Sequence, residues 1–254
     1  MAFNVMFHVE HRYLLFFRIA IALLFSVTLS QAAPPAYAGF TDSEMASHMA
    51  NLLGEKFSPE SLSVTVKDSS AYAEMRGVVL SGIRIDSMRL SALLANRDAA
   101  LSDDVDSLAS LIGYSKGELI LLEDDVNAYF DQNEQRGFSK LHFDFSPSGF
   151  KANGVFSAEF IFTLRIRLEA RGILELKRDG VYLGNVSVYV EKIKQPDSLT
   201  KQIVSRVNPL LEFGDIPFSV KFDTLTMSDS SAEMSGSPEK FAGGSTAVWG
   251  ASGP

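Results

Sequence analysis

Apolar and polar residues alternate along much of this chain, and the longest run lies between Phe160 and Leu176, F-I-F-T-L-R-I-R-L-E-A-R-G-I-L-E-L. Phe160, Phe162, Leu164, Ile166 and Leu168 hold the even positions, while Thr163, Arg165, Arg167 and Glu169 hold odd ones. A period of two predicts a strand with one dry face and one wet face. The dry register continues through Ala170, Gly172, Leu174 and Leu176. Ordinary strands have about five or six residues, so the first question is what covers so long a dry face.

The flanking pattern is also sheet-like. Phe138 to Phe145 places Leu141, Phe143 and Phe145 on one face, and Ser146-Pro-Ser-Gly149 predicts a turn into a returning strand. Lys177-Arg-Asp-Gly180 predicts a hairpin turn. Beyond it Val181 and Leu183 share one register and Val186, Val188 and Val190 the other, so a bulge at Gly184-Asn185 is expected. Upstream, Ser61 to Lys67 and Ala71 to Leu94 are strand-like; Val79, Ile83, Ile85 and Leu90 are expected to face inward, with bends at Gly77 and Gly82. Phe218, Val220 and Phe222 open a last long strand, and Ala232 to Met234 closes the sheet.

Helical spacing is rarer. Thr41-Asp-Ser-Glu44 fits a capping box that opens a helix ending near Phe57. Glu123-Asp-Asp125 opens a second, through Gln132, with Val126, Tyr129 and Phe130 as its buried stripe. Asp197 is expected to cap a third, with Leu199, Ile203 and Val207 apolar. Leu108 to Ile112 suggests one helical turn, and Asn96 to Ser107 a polar loop. The fold expected is therefore α+β: a long, curled antiparallel sheet wrapped against a few helices in a single domain, residues 39–236. The dry faces carry Phe143, Phe145, Phe160, Phe162, Leu164, Ile166, Leu168, Val186, Val188, Val190, Phe218, Val220 and Phe222. Two readings of them stand: helices cover them as plain core, or the curl leaves an elongated apolar groove suited to acyl chains.

Composition narrows the setting. The 254 residues are 46% hydrophobic and carry a net charge of −8, which argues against nonspecific nucleic-acid binding. Arg12 and Arg18 precede or begin the apolar run Ile19 to Leu29, and Ala36-Tyr37-Ala38 is an A-x-A site, with Ser30-Gln31-Ala32 as the second choice. Residues 1–38 thus read as a signal peptide cleaved after Ala38, the alternative being a membrane anchor over Tyr13 to Leu29. The protein is expected to be periplasmic or secreted. It has no cysteine, hence no disulfide framework and no thiol site. Residues 237–254 are rich in Gly, Ser and Ala and are expected to be a disordered tail.

Catalytic patterns are missing from the sequence. Beyond the leader only His48 and His142 remain, neither with a ligand-spaced partner. There is no G-x-S-x-G elbow and no phosphate loop. Glu123-Asp124-Asp125 reads as a charged first helical turn, and Asp103, Asp104 and Asp106 lack the glycine and final glutamate of a calcium loop. No enzyme activity, metal or cofactor is expected.

Several segments resemble the bacterial LmeA-like phospholipid-binding family. They are R-G-V-V-L-S-G-I-R-I (Arg76 to Ile85), L-L-E-D-D-V-N-A-Y-F (Leu121 to Phe130), D-G-V-Y-L (Asp179 to Leu183), V-N-P-L-L-E-F-G-D-I-P-F-S-V-K-F (Val207 to Phe222) and S-A-E-M-S-G (Ser231 to Gly236). These motifs are structural punctuation, so only the apolar-face residues transfer, as a group. Ser91 to Tyr114 departs from the family pattern. The resemblance implies an exported protein with a curled sheet and an elongated apolar groove. It also implies phospholipid or other acyl-lipid binding, transient contact with a membrane surface and a role in envelope lipid homeostasis. Arg165, Arg167, Arg171 or Lys192 would meet the head group if they lie at the groove mouth. The alternative is a non-enzymatic envelope assembly or scaffold protein that binds a protein partner through its sheet.

Overall fold

The computed structural model describes residues 40–97, 104–132, 137–159 and 163–250. The leader, Phe160, Phe162 and the side chain of Leu164 lie outside the described residues. The first helix, α1 (Asp42–Phe57), begins at the expected capping box: the Glu44 amide donates to Thr41 Oγ1, and the Thr41 amide donates to the Glu44 carboxylate at 2.9 Å. It ends at Ser58, whose left-handed backbone lets its amide donate to the Gly54 carbonyl at 2.8 Å.

Three antiparallel strands follow, β1 (Ser61–Lys67), β2 (Ser70–Leu80) and β3 (Ile83–Leu94), joined by tight turns. The one-turn helix α2 (Leu108–Leu111) leads into β4 (Ile112–Leu122), which pairs with β3. Near the C-terminus, β11 (Thr224–Met227), β12 (Ser231–Ser235) and β13 (Ser245–Val248) join the same sheet. Its strand order is β11-β12-β4-β3-β2-β1-β13.

A second sheet is a meander of β5 (Phe138–Ser146), β6 (Gly149–Glu159), β7 (Thr163–Lys177) and β8 (Gly180–Val190). Short β10 (Leu211–Glu212) extends it beside β8, and β9 (Ile193–Lys194) folds back on the end of β8. Helix α3 (Glu123–Gln132) runs between the sheets, touching β3 and β4 on one side and β5 on the other. Arg84 on β3 pairs with Asp125 of α3 at 3.1 Å. The remaining helix, α4 (Asp197–Val204), packs on β8. The architecture is the expected antiparallel α+β, with the strands divided between two sheets.

Three details depart from the sequence pattern. Val79 was expected inside, yet it is 52% exposed, while Val78 and Leu80 are fully buried. Gly77 has φ +64°, and this left-handed step reverses the alternation of β2. Phe218, Val220 and Phe222 do not open a long strand; Lys221 makes an isolated bridge to β4, and regular pairing begins at Thr224. The third departure is the tail. Composition predicts disorder for residues 237–254, but Ser245–Val248 pairs along the edge of β1, and the Trp249 amide donates to the Leu62 carbonyl at 3.1 Å. Gly54 explains the docking. A Cβ there would stand 2.0 Å from Trp249 Cδ1, so only glycine lets the indole lie on α1. The Gly/Ser content masked a strand whose anchor is one aromatic residue.

Trp249→Ala is therefore expected to lower unfolding stability by about 1–3 kcal/mol and to free the β1 edge for association. Denaturant melts and light scattering of the two proteins check this; equal stability and equal solubility would separate the strand from the fold's energetics.

Candidate functional site

The dry face of the second sheet is built by cross-strand rows. Phe143, Ala152, Ala170 and Val188 pair in register across β5, β6, β7 and β8. Phe145, Phe150 and Gly172 form the next row, and Gly154 pairs with Leu168. The rows stay in phase because each misfit is absorbed by a bulge. Asn185, at φ +48°, is the extra residue of β8, so Ile173 faces Gly184 and Arg171 faces Ser187. This is the bulge expected from the valine spacing. A second, unforeseen one sits at Lys140, φ +54°, between Ser139 and His142.

Two helices cover this face, each held by one asparagine. At the β5 edge, the Asn127 amide donates to the Phe143 carbonyl at 2.9 Å and accepts from the Phe143 amide at 2.7 Å. Phe130 adds a ring contact to Phe143 at 5.4 Å. On the β8 side, Asn208 does the same to Leu183, donating at 2.9 Å and accepting at 2.7 Å. The Gln195 amide donates to the Val188 carbonyl at 2.8 Å, so both ends of the α4 segment are tied to β8.

Between α4 and the sheet lies a narrow slot. Its cavity volume is only ≈ 40 Å³. Ile203, Val204 and Val207 form its roof; Leu141, Phe143, Leu168, Ala170, Val186 and Val188 are part of its floor, and Phe138 and Phe150 also line it. Every lining side chain is apolar, so water gains no hydrogen bond there. Four residues expected on an apolar binding face thus meet here: Phe143, Leu168, Val186 and Val188. Phe145 is buried beside them, and Ile166 and Val190 are half-buried against the same core. Val220 and Phe222 go elsewhere. They line a separate cleft of ≈ 620 Å³ with Leu174, Leu176 and Phe213, rimmed by Lys177 and Arg178, and Phe222 lies 4.8 Å from the Phe213 ring. Phe218 is buried but lines neither space.

The cations expected at a groove mouth are on the opposite face. Arg165 and Arg167 project from the wet side of β7 and are exposed, and Arg171 donates to Glu169 at 2.7 Å. That hydrogen bond holds the Glu169 carboxyl below the usual carboxylate range. Lys192 sits exposed in the turn after β8. Lys201, one residue past the buried Thr200 on α4, lines the adjoining cleft, and Arg206 lies over the Phe156 ring at 5.3 Å. Only the helical spacing of Lys201 from Val204 could have signalled it.

The acidic motifs have structural duties. Glu123 accepts the Phe145 amide, and Asp125 pairs with Arg84. Burial pushes the Asp125 carboxyl above its ordinary range, and Arg84 pulls against that shift. His142 is exposed on the wet face of β5, while His48 lies against Phe40 with a buried, unpaired Nε2. Among the described residues no three acidic or imidazole groups lie close enough to hold a metal ion, and no helix is long and apolar enough to cross a membrane. Comparison with protein-family models, curated proteins and solved structures returned no match.

Ala170→Leu places extra carbon in the slot. If the slot is unfilled space, the variant should be as stable as the parent or gain about 0.5–2 kcal/mol, and bind less of any apolar ligand. Thermal melts and dye-displacement titrations check both. A loss of about 1–3 kcal/mol, the mark of overpacking, would mean the slot is already closed core.

Proposed function

We propose that this is an exported lipid-binding protein that takes phospholipid acyl chains between α4 and the β5–β8 sheet, serving lipid homeostasis or transfer in the cell envelope. The observation that carries this reading is the wholly apolar slot at the centre of the sheet's dry face. Desolvation supplies the affinity, at about 0.8 kcal/mol for each CH₂ moved out of water. Part of one chain is therefore enough for useful binding.

The slot is narrow when empty, so a chain enters as α4 lifts. The helix is suited to this. It has eight residues, and Ile203 is its only buried apolar side chain among the described residues. Leu199 is 37% exposed. A short helix with little burial belongs to the low-stability end of a structure and opens before the global fold does. The tethers at Gln195 and Asn208 limit the movement to a hinge at each end. The leader read from Arg12 to Ala38 supports an exported setting, and the LmeA-like segments support a phospholipid ligand.

Native mass spectrometry of residues 39–254, purified without detergent, tests the proposal. A stoichiometric lipid adduct, released by organic extraction and absent or reduced in Ala170→Leu, is the expected result. A single apo mass with no uptake from added phospholipid vesicles would contradict it and favour a protein-binding role in envelope assembly.

A further inference from the structure

A second space opens on the outer flank of α4. It shares Leu183, Val186 and Val204 with the apolar slot, so the two meet beneath the helix. It differs from the slot in width and chemistry. Its volume is ≈ 510 Å³, against ≈ 40 Å³ for the slot. Asp197, Thr200 and Lys201 of α4 and Asn185 of β8 contribute to its walls.

The polar groups here divide into occupied and unoccupied. Tyr182 donates its hydroxyl to Asp179 at 2.9 Å, Ser205 donates to the Gln202 carbonyl at 2.9 Å, and the Asn208 amide is spent on Leu183. Thr200 is 6% exposed, and its Oγ1 has no hydrogen-bond partner. Valine would fill that volume without leaving a polar atom unpaired. Lys201 and Asp197 form no ion pair among the described residues, and the Asn185 side chain makes no hydrogen bond to them. Asn185 owes its place to the bulge, and its exposed side chain lines the cleft beside Val186.

We propose that this cleft seats a zwitterionic phospho-amine head group whose acyl chain lies in the adjoining slot. The proposal rests on the acyl-chain reading of the slot and goes further by naming the head-group chemistry. Phosphate oxygens accept from Lys201 Nζ, the Asn185 amide and Thr200 Oγ1. The ammonium donates to the Asp197 carboxylate. One cation and one anion stand a helical turn apart, at positions i and i+4, about 6 Å along the axis. A head group carrying net negative charge would leave Asp197 repelled. A head group without charge would leave both side chains without a partner.

The test measures uptake from vesicles by the full mature chain. Phosphatidylethanolamine, phosphatidylglycerol and diacylglycerol of identical acyl composition are each offered at low mole fraction in vesicles of an uncharged, bilayer-forming glycolipid. Wild-type protein should prefer phosphatidylethanolamine to phosphatidylglycerol by about tenfold, one charge-assisted contact's worth. Lys201→Gln should weaken both phospholipids about tenfold and leave diacylglycerol unchanged. Asp197→Asn should erase the preference for the amine. Thr200→Val, nearly isosteric, should weaken phospholipid uptake while the fold stays intact by thermal melt. Equal uptake of all three lipids by every variant would overturn the head-group assignment and leave the acyl slot standing. No uptake of any lipid by the wild-type protein would overturn the acyl reading and this proposal with it. Binding of free O-phosphoethanolamine as tight as that of phosphatidylethanolamine would overturn the lipid assignment in favour of a soluble ligand.

Discussion

Two asparagine side chains fix the space on which this structure turns. Asn127 and Asn208 each use one amide to pair both the N–H and the C=O of a single sheet residue, Phe143 and Leu183 respectively. A side-chain amide can mimic a strand neighbour in this way because it carries a donor and an acceptor side by side. The result is that α3 is fastened at the β5 edge of the sheet, and the chain leaving α4 is fastened on β8. The apolar rows between the two clamps are covered but not filled, and the slot is what remains.

The same arrangement separates the two kinds of chemistry on β7. Leu168 and Ala170 face the slot, while Arg165, Arg167 and Arg171 face water, where Arg171 and Glu169 pair with each other. Charge on the wet face thus contributes to solubility and not to the slot. Near the slot, charge comes from a different element. Asp197 and Lys201 belong to α4, a short helix whose buried residues are Thr200 and Ile203, so the polar groups that line the cleft sit on an element with little burial to hold it down.

Much of this was legible in the sequence because local rules decided it. The capping box at Thr41 and Glu44 starts α1 through its own hydrogen bonds. The valine register of β8 forces a bulge, and Asn185 supplies the left-handed backbone. The dry faces of β5 and β7 follow from alternation alone. What the sequence hid depends on distant partners. Val79 turns outward because one glycine reverses the pleat, which alternation cannot register. The tail strand exists because Trp249 finds Gly54, far away in the chain. Division into two sheets rests on α3 reaching both, and the roles of Asn127 and Asn208 rest on strands they do not adjoin in sequence. Arginine in a long strand is conspicuous to the eye, yet face assignment removes it from the slot, while an ordinary helical Lys201 lies beside it.

The central claim is that an acyl chain lies between α4 and the sheet. A phospholipid carrying a diazirine at mid-chain tests it most directly. After photolysis and digestion, adducts should map to peptides holding Val186, Val188, Ile203 or Val207, with few on the wet face of β7. Adducts confined to exposed residues such as Ile193 or Val79, with none in those peptides, would contradict the account.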